Sequence, residues 1–461
     1  MTNGFAERAE RALSDAPLQA ALRKSRSGFV DKRRRAFTDY DHFDTLRDEA
    51  TRIRAHALAH LPKLLEQFET NVEKHAGQVH WARNGAEANE IIVRLCLAAG
   101  ARKVAKGKSM ASEETDLNRA LEAMHLEVIE TDLGEYILQL ARERPSHIIA
   151  PAVHKSRADI EKLFDEHHGP RARETIADLV DEARERLREQ FLGADVGITG
   201  ANWLIAETGS VGLVTNEGNG DLSATLPKVH IVLAGIEKVC ATRADAATLM
   251  RVLARSATGQ PLTAYTTLHT GAKRAGDPDG PANFHVVLLD NGRSQTIGGA
   301  FHDMLRCIRC GACLNHCPVY TAVGGHAYGD VYPGPMGSVL TPLLRGLPAG
   351  HDLVQACTLN GRCEVVCPAS IPLPTLLREL RERRHEAGLE TRLERTSLRA
   401  WAWLAKRPRW YRRLTGLDVR IGHWLQGRGW IPDFLVRRWT RLRTLPPLPR
   451  RSFFNRRRAK P

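Results

Sequence analysis

Seven of the nine cysteines lie between residues 307 and 367, in two runs of nearly equal spacing. The first run, CIRCGACLNHCP, ends in a proline and has the pattern C-x2-C-x2-C-x3-C-P. This pattern is typical of a loop that folds around a cubane iron–sulfur cluster. The second run, CTLNGRCEVVCP, keeps three cysteines and the proline, but Asn360 stands where another thiolate is expected. The two runs therefore predict two metal clusters with different ligand sets.

In paired runs of this kind, three cysteines of one loop surround one cluster, and the cysteine before the proline reaches the other cluster. The predicted ligands of the first cluster, a [4Fe–4S] cluster named cluster 1, are Cys307, Cys310, Cys313 and Cys367. The predicted ligands of the second cluster, cluster 2, are Cys317, Cys357 and Cys363. Isolated CxxC pairs are often zinc sites, but two interleaved, proline-terminated runs favour iron.

Cluster 2 has three thiolates, with Asn360 at the position of the missing one. The pattern C-x5-C-x3-C-P after a complete run resembles the iron–sulfur subunit of succinate dehydrogenase, where the same gap accompanies a [3Fe–4S] centre. An iron without a protein thiolate is held weakly and is readily lost, so we favour a [3Fe–4S] cluster here. The alternative is a [4Fe–4S] cluster whose fourth iron binds water, Asn360 or a ligand from a partner.

Two clusters that share their loops indicate a path for single electrons. A purely structural cluster, as in some nucleic-acid enzymes, usually occurs alone, so electron transfer is the favoured role. The remaining cysteines, Cys96 and Cys240, are expected to be small core residues.

The elements that must position these cysteines fall into four regions. Residues 1–75 are charged and helical in pattern, with Pro62 dividing a long helix. Residues 76–295 alternate short apolar runs with helical patterns, which predicts an α/β domain whose mostly parallel sheet is covered by helices on both faces. Residues 300–390 form a helical two-cluster domain, and residues 391–461 form a basic tail. The predicted strands are VHWA, KVAKGKS, EVIETDL, HIIAPAV, VGLVTN, HIVLAGIEKV and FHVVLLD.

Glycines and polar residues gather at the expected ends of these strands, where open α/β sheets bind ligands. The candidate pocket residues are Lys106, Lys108, Glu207, Thr208, Asn216 and Glu217. The lysines suit an anion such as a carboxylate or a phosphate. The alternative is that these residues only build turns. No G-x-G-x-x-G motif or P-loop is present, so no nucleotide site is predicted, and His154 and His230 are expected to be structural.

Positive charge is concentrated in the tail. Residues 391–461 hold 20 Lys and Arg against 3 Asp and Glu, and they contain six of the eight tryptophans. Arg and Trp together suit an anionic membrane surface, an acidic partner subunit or, as the least favoured option, nucleic acid. The alternative is a solvated tail whose tryptophans pack on the body.

The first residues lack the apolar stretch of a secretory signal, and no apolar run approaches the ~20 residues of a membrane span. The sequence therefore predicts a cytoplasmic protein, in which thiols stay reduced. Peripheral contact with the inner membrane face is a further option because of the basic tail.

Two long blocks in the α/β region carry a family resemblance. They read GITGANWLIAETGSVGLVTNEGNGDLSATLPKVHIVLAGIEKV and ARSATGQPLTAYTTLHTG. From about residue 40 to 390 the chain resembles the lactate-utilisation family, specifically the LutB-type (LldF-type) iron–sulfur subunit of the NAD-independent L-lactate dehydrogenase complex. The resemblance implies a LUD domain, similar in fold to the sugar-phosphate isomerase and CoA-transferase group, followed by a two-cluster ferredoxin domain. Relatives usually carry Cys in place of Asn360 and often Ser in place of Cys357, so the ligands of cluster 2 are shifted here.

The resemblance also implies a function and partners. A LutA-type cysteine-rich subunit and a LutC-type LUD subunit would act with this chain to convert lactate to pyruvate. Oxidation of a 2-hydroxy acid removes two electrons, whereas each cluster takes one, and the chain shows no flavin fingerprint. The two-electron step is therefore expected on a partner or at a site that the sequence does not disclose. The alternatives are a nucleic-acid-binding iron–sulfur protein that uses its basic tail, and a LUD domain with its own isomerase or acyl-transfer activity.

Overall fold

The structure is a computed structural model that describes residues 4–38, 40, 42–429 and 444–454. It divides into two compact units, Met1–Arg383 and Arg384–Pro461. The α/β region and the cysteine region belong to the same unit. The sites that these two regions form therefore lie within one compact unit.

Among the described residues, four helices precede the first strand. They are α1 Phe5–Ser14, α2 Ala16–Thr38, α3 Phe43–Ala59 and α4 Leu61–Lys74. Pro62 lies in the first turn of α4, where its missing N–H group costs nothing, so it separates α3 from α4 as predicted.

In the part of the chain that the structure describes, ten strands form two sheets. They are β1 Gly77–Ala82, β2 Lys103–Lys106, β3 Glu127–Glu130, β4 Val196–Thr199, β5 Trp203–Ile205, β6 Ser210–Thr215, β7 Val229–Gly235, β8 Val239–Cys240, β9 Tyr265–His269 and β10 Asn283–Leu289. The main sheet has the order β1-β10-β7-β4-β2-β3, and all of its strand pairs are parallel. The smaller sheet has the order β8-β5-β6-β9 and is mostly antiparallel. The predicted α/β fold with a mostly parallel sheet is confirmed.

Helices cover both faces of the main sheet. The helices between the strands are α5 Gly85–Ala98, α6 Met110–Thr115, α7 Leu117–Glu122, α8 Leu133–Ala141, α9 Arg157–His168, α10 Ile176–Leu192, α11 Asn219–Thr225 and α12 Arg243–Thr258, and α13 Arg293–Thr296 follows the last strand. Successive residues of β7 alternate between two cores. Ile231 packs in one core with Ile92 of α5, whereas Val232 packs in the other with Phe68 of α4. Cys96 and Cys240 are fully buried in apolar cores.

The cysteine region is built from short helices around its own apolar core. They are α14 Ala312–Asn315, α15 Tyr320–Val323, α16 Gly334–Arg345, α17 Leu347–Gly350, α18 Arg362–Val365 and α19 Leu373–Glu386. The N-terminal helices contribute to this region as well. Arg8 of α1 donates hydrogen bonds to the carbonyls of Ala327 and Tyr328 at 2.8 and 3.2 Å.

One predicted strand is wrong. The apolar run HIIAPAV, residues 147–153, forms bends and turns instead of a strand. Ile148 is buried in the core of the cysteine region, so its apolar side chain makes a contact between the α/β region and the cysteine region. His147 holds the bend, because its Nδ1 accepts hydrogen bonds from the N–H groups of Ile149 and Ala150 at 3.0 and 3.1 Å. Its Nε2 consequently carries the proton and donates to Asn315 Oδ1 at 3.0 Å.

This arrangement predicts a loss of stability in mild acid. Burial lowers the pKa of His147 from 6.5 to about 4, because the charged imidazolium is desolvated. Between these pH values the unfolded chain binds the proton and the folded chain does not, so stability falls as pH decreases through this window. The contribution of His147 amounts to at most about 3 kcal/mol. We expect the His147→Gln variant, which stays neutral, to lose less Tm between about pH 7 and about pH 5 than the parent protein. Equal losses in both proteins would contradict this assignment.

The second unit contains helices in the part of the chain that was predicted only as a basic tail. They are α20 Arg392–Ala405 and α21 Pro408–Gly427. Residues 444–449 have no regular secondary structure. The tail predictions for residues 430–443 and 455–461, including Trp430 and Trp439, lie outside the described residues. Among the described helices, none is long and apolar enough to cross a membrane.

Candidate functional site

The two cysteine runs form the same backbone loop twice, at an offset of 50 residues. Arg309 and Leu359 both have positive φ, at 61° and 55°. Each is followed two residues later by a glycine in the left-handed region and then by a four-residue helix, α14 or α18. Asn360 therefore occupies the backbone position that Cys310 occupies in the first loop. The gap in the sequence pattern is a substitution within an intact loop.

The four cysteines predicted for cluster 1 line one cavity. They are Cys307, Cys310, Cys313 and Cys367. Its other walls are mostly apolar and include Met304, Met336 and Ile371. Burial and the neighbouring thiol of Cys367 raise the pKa of Cys310 to about 12. Burial and then the thiols of Cys307 and Cys310 also raise the pKa of Cys313. Bare thiolates are therefore disfavoured in this cavity, and bound iron would supply the positive charge that they need.

The three cysteines predicted for cluster 2 form a second group. Burial and then Cys357 and Cys317 raise the pKa of Cys363 to about 12, which indicates that the three thiols are neighbours. The N–H group of Tyr320 donates to Cys317 Sγ at 3.5 Å, and that of Leu359 donates to Cys357 Sγ at 3.3 Å. Hydrogen bonds to sulfur of this kind stabilise thiolate ligands and tune cluster potentials. All nine cysteines are free of disulfides, so the sulfurs remain available.

Asn360 does not replace the missing thiolate in this structure. Its side chain is exposed, and its Oδ1 accepts a hydrogen bond from the N–H group of Arg362 at 3.1 Å. The amide thus stabilises its own loop. The corner of the site where a fourth thiolate is expected faces solvent.

Two arginines of the N-terminal helices lie near the cysteines predicted for cluster 1. Arg33 of α2 donates to the carbonyl of Val366, next to Cys367, at 3.1 Å. Arg54 of α3 is 2% exposed and donates to backbone carbonyls in both the α/β region and the cysteine region. Thiolate-bound clusters are anionic, so these cations would favour the binding of a cluster by the cysteines and would raise its reduction potential.

A buried network of ion pairs joins the first cysteine loop to the end of β7. Glu237 follows β7 and accepts hydrogen bonds from Arg293 at 2.6 Å and from Arg309 at 3.2 Å. Arg293 also donates to both oxygens of Glu114 at 2.9 and 2.8 Å, and Tyr332 donates to the same carboxylate at 2.7 Å. Burial alone would raise the pKa of Glu237, but Arg293 and Arg309 lower it to about 2. Sequence patterns missed this network because its members come from distant parts of the chain.

We expect the Arg293→Met variant to be destabilised by about 3–5 kcal/mol, because two buried carboxylates lose their shared partner. The matched control is Arg83→Met, which removes an exposed ion pair with Glu87 and is expected to cost far less stability, because solvent screens an exposed pair. Thermal unfolding of both variants measures the difference. Similar Tm values for the two variants would show that the network is not important for stability.

A cleft of about 330 Å³ lies at the carboxyl ends of β2, β4 and β7. Of the six predicted pocket residues, it brings together Lys108, Asn216 and Glu217. It also contains Lys238, which sequence analysis missed and which follows β7 directly. Burial and then Arg309 lower the pKa of Lys238 to about 8.

The other three predicted pocket residues lie elsewhere. Lys106 is fully buried beside the cleft and forms ion pairs with Glu130 at 2.8 Å and Glu113 at 3.3 Å. These carboxylates neutralise its charge, so Lys106 does not offer an ammonium group to a ligand in the cleft. Glu207 and Thr208 lie at the turn between β5 and β6. Glu207 accepts a hydrogen bond from the N–H group of Arg243 at 2.9 Å.

The two histidines that were expected to be structural make internal contacts. His154 binds Ser146 Oγ at 2.7 Å and Glu143 at 2.8 Å through its two ring nitrogens. His230 is fully buried and binds Thr199 Oγ1 at 2.8 Å. Neither residue lines the cleft.

Comparison with known proteins assigns families to both regions. Residues 65–289 match the LUD domain, and residues 303–371 match the 4Fe–4S dicluster domain. The second match contains all seven clustered cysteines and supports iron–sulfur clusters in this region. A DUF162 family protein from Deinococcus radiodurans of known structure matches 50% of this chain and 98% of its own, at 15% identity and a TM-score of 0.29.

Several known proteins are similar in sequence to this chain over most of its length. The "Uncharacterized electron transport protein YkgF" of Escherichia coli (strain K12) is 40% identical over 97% of this chain and 95% of its own. "Lactate utilization protein B" of Shouchella clausii is 42% identical over the same shares. The protein of that name from Lysinibacillus sphaericus is 44% identical over 82% of this chain and 80% of its own. The chain belongs to the lactate utilization protein B family, with a LUD domain followed by a 4Fe–4S dicluster domain.

Proposed function

We propose that this chain is the electron-transfer iron–sulfur subunit of an NAD-independent complex that oxidises L-lactate, or a related 2-hydroxy acid, to the 2-oxo acid. The observation that supports this most is the pair of interlocked cysteine groups, each formed by both loops. Relatives that cover most of the chain are named for lactate utilisation and for electron transport. In this role the two clusters relay electrons one at a time.

Cluster 1 is proposed as a [4Fe–4S] cluster. Its ligands are Cys307, Cys310, Cys313 and Cys367. Cluster 2 is proposed as a [3Fe–4S] cluster. Its ligands are Cys317, Cys357 and Cys363, with Asn360 at the exposed fourth corner. Because each loop supplies ligands to both clusters, the clusters are close, as single-electron transfer requires.

The proposed partners are a LutA-type cysteine-rich subunit and a LutC-type LUD subunit, which would supply the two-electron step.

Contact with an anionic membrane surface is proposed for α21. Its residues Trp410, Leu414, Leu417, Ile421 and Trp424 recur at helical spacing, and each is 42–54% exposed. An exposed apolar stripe beside arginines is typical of helices that lie on a membrane. Cosedimentation with anionic vesicles tests this, since Leu417→Glu is expected to weaken binding and an unchanged bound fraction would exclude it.

The experiment that tests the electron-transfer role uses the complete complex under anaerobic conditions. L-lactate is expected to bleach the visible absorbance of the clusters when both partner subunits are present, and not when this chain is alone. Dithionite, which reduces clusters directly, is the control for intact clusters. Clusters that dithionite reduces but lactate with both partners does not would contradict the proposed substrate.

A further inference from the structure

The cleft in the LUD domain and the cavity of cluster 1 share a wall. Ile148 and Arg309 line both spaces. Arg309 lies between two proposed ligands of cluster 1, Cys307 and Cys310. A molecule in the cleft would therefore be separated from the cluster loop by little more than one side chain.

Lys238 is the unusual group in this cleft. It lies at the end of a 3₁₀ turn, Ile236–Lys238, that directly follows β7, and it is partly buried. In the part of the chain that the structure describes, no carboxylate lies within ion-pair distance of its ammonium group, and no hydrogen-bond acceptor is found for it. The other cations that line the cleft have partners, because Arg293 and Arg309 both bind Glu237 and Lys108 donates to the carbonyl of Ile149 at 2.6 Å. A partly buried ammonium without a counter-ion favours the binding of an anion.

The cleft suits a carboxylate better than a phosphate. Phosphate sites usually combine several backbone N–H groups or unpaired arginines, and both arginines here already bind carboxylates. Lys238 contributes one ammonium group without a hydrogen-bond acceptor among the described residues, and this group matches a single negative charge. Asn202 also lines the cleft, and its Oδ1 accepts a hydrogen bond from the N–H group of Val214 at 3.0 Å. For its amide N–H groups no acceptor is found among the described residues, so they can bind a hydroxyl or keto oxygen.

We propose that this cleft binds a small organic carboxylate of the 2-hydroxy or 2-oxo acid class through Lys238. We further propose that binding of this anion disfavours reduction of cluster 1, and that reduction of cluster 1 weakens binding of the anion. The inference rests on the proposed iron–sulfur function. It adds a binding site in this chain to a reaction whose two-electron step is assigned to partners.

The coupling follows from electrostatics. Reduction of cluster 1 adds one negative charge next to the wall that the cleft shares with it. A bound carboxylate therefore lowers the reduction potential of cluster 1. By linkage, the reduced protein must bind the carboxylate more weakly by the same factor.

The test is anaerobic calorimetry on the cluster-loaded full chain with pyruvate, L-lactate and inorganic phosphate as separate probes. Pyruvate or L-lactate is expected to bind saturably, and Lys238→Met is expected to weaken binding by about tenfold or more, since a charged hydrogen-bonding partner is lost. Lys238→Arg keeps the charge and should retain most of the affinity. The matched control is Lys228→Met, because Lys228 is exposed just before the opposite end of the same strand.

A second readout distinguishes this proposal from the proposed function. Potentiometry followed by electron paramagnetic resonance should show that pyruvate lowers the potential of cluster 1 in the parent protein and in Lys228→Met, but not in Lys238→Met. Iron analysis of every sample shows whether the clusters are present. Absent clusters overturn the proposed function, whereas intact clusters without carboxylate binding overturn this inference alone. Binding of phosphate only, or equal affinity in the parent protein and Lys238→Met, overturns it as well. If Lys238→Met loses iron, Lys238→Gln replaces it.

Discussion

Replacement of Cys310 by Ala is expected to remove cluster 1 and to lower the iron content from about seven to about three atoms per chain. Cys310 is 8% exposed in the cavity that it shares with three other cysteines, so no water-exposed ligand can replace its sulfur without rearrangement. The paramagnetic signal of the reduced cubane should disappear with the iron. Iron and sulfide analysis together with electron paramagnetic resonance of the reduced protein measure both effects.

The control for this experiment is Cys96→Ala. Cys96 is fully buried in an apolar core of the α/β domain, far in sequence from both cysteine runs. This variant is expected to keep the full iron content and both signals. If Cys310→Ala keeps as much iron as Cys96→Ala, Cys310 is not a ligand and the assignment of cluster 1 is wrong.

Replacement of Asn360 by Cys is expected to convert cluster 2 from three irons to four. Asn360 occupies the backbone position of Cys310, between a residue with positive φ and a glycine at the start of a short helix. A thiolate at this position completes the pattern of the first loop, so the fourth iron gains a strong ligand. The oxidised protein should then lose its paramagnetic signal, and iron should rise by about one atom per chain.

Thr358→Cys is the control for the position of the new thiol. Thr358 is exposed in the same loop and corresponds to Ile308, which is not a proposed ligand. This variant should keep the signal of the oxidised three-iron cluster. If the Asn360→Cys protein has the same oxidised spectrum and iron content as the Thr358→Cys protein, position 360 does not face the cluster.

The cysteine groups could be predicted from sequence because the ligands of each loop are close along the chain. Spacing alone predicted two interleaved sets, and in the structure the four cysteines of the first set line one cavity. The main sheet was also predictable, since runs such as HIVLAGIEKV are apolar on both faces, as a buried parallel strand requires. The run HIIAPAV has the same composition but belongs to a bend, because its Ile148 packs against another domain. Periodicity cannot distinguish these two uses of apolar residues.

The cleft was only partly predictable. Lys106 and Lys108 are two residues apart at the end of one strand, yet Lys106 is buried with Glu113 and Glu130 while Lys108 lines the cleft. The sequence contains no signal for this difference, because it depends on carboxylates from other elements. Lys238 was missed for the same reason. It became a candidate only because the structure places it in a cleft that shares Arg309 with the cavity of cluster 1.

The most direct test of the central claim, that seven cysteines hold two different clusters, is electron paramagnetic resonance of the anaerobically purified parent protein with iron and zinc analysis. We expect a paramagnetic signal from cluster 2 in the oxidised state and a further signal from cluster 1 on reduction. The iron content should be about seven atoms per chain. A silent oxidised protein with two reducible cubanes would contradict the three-iron assignment, and a colourless protein that contains zinc would contradict the electron-transfer role itself.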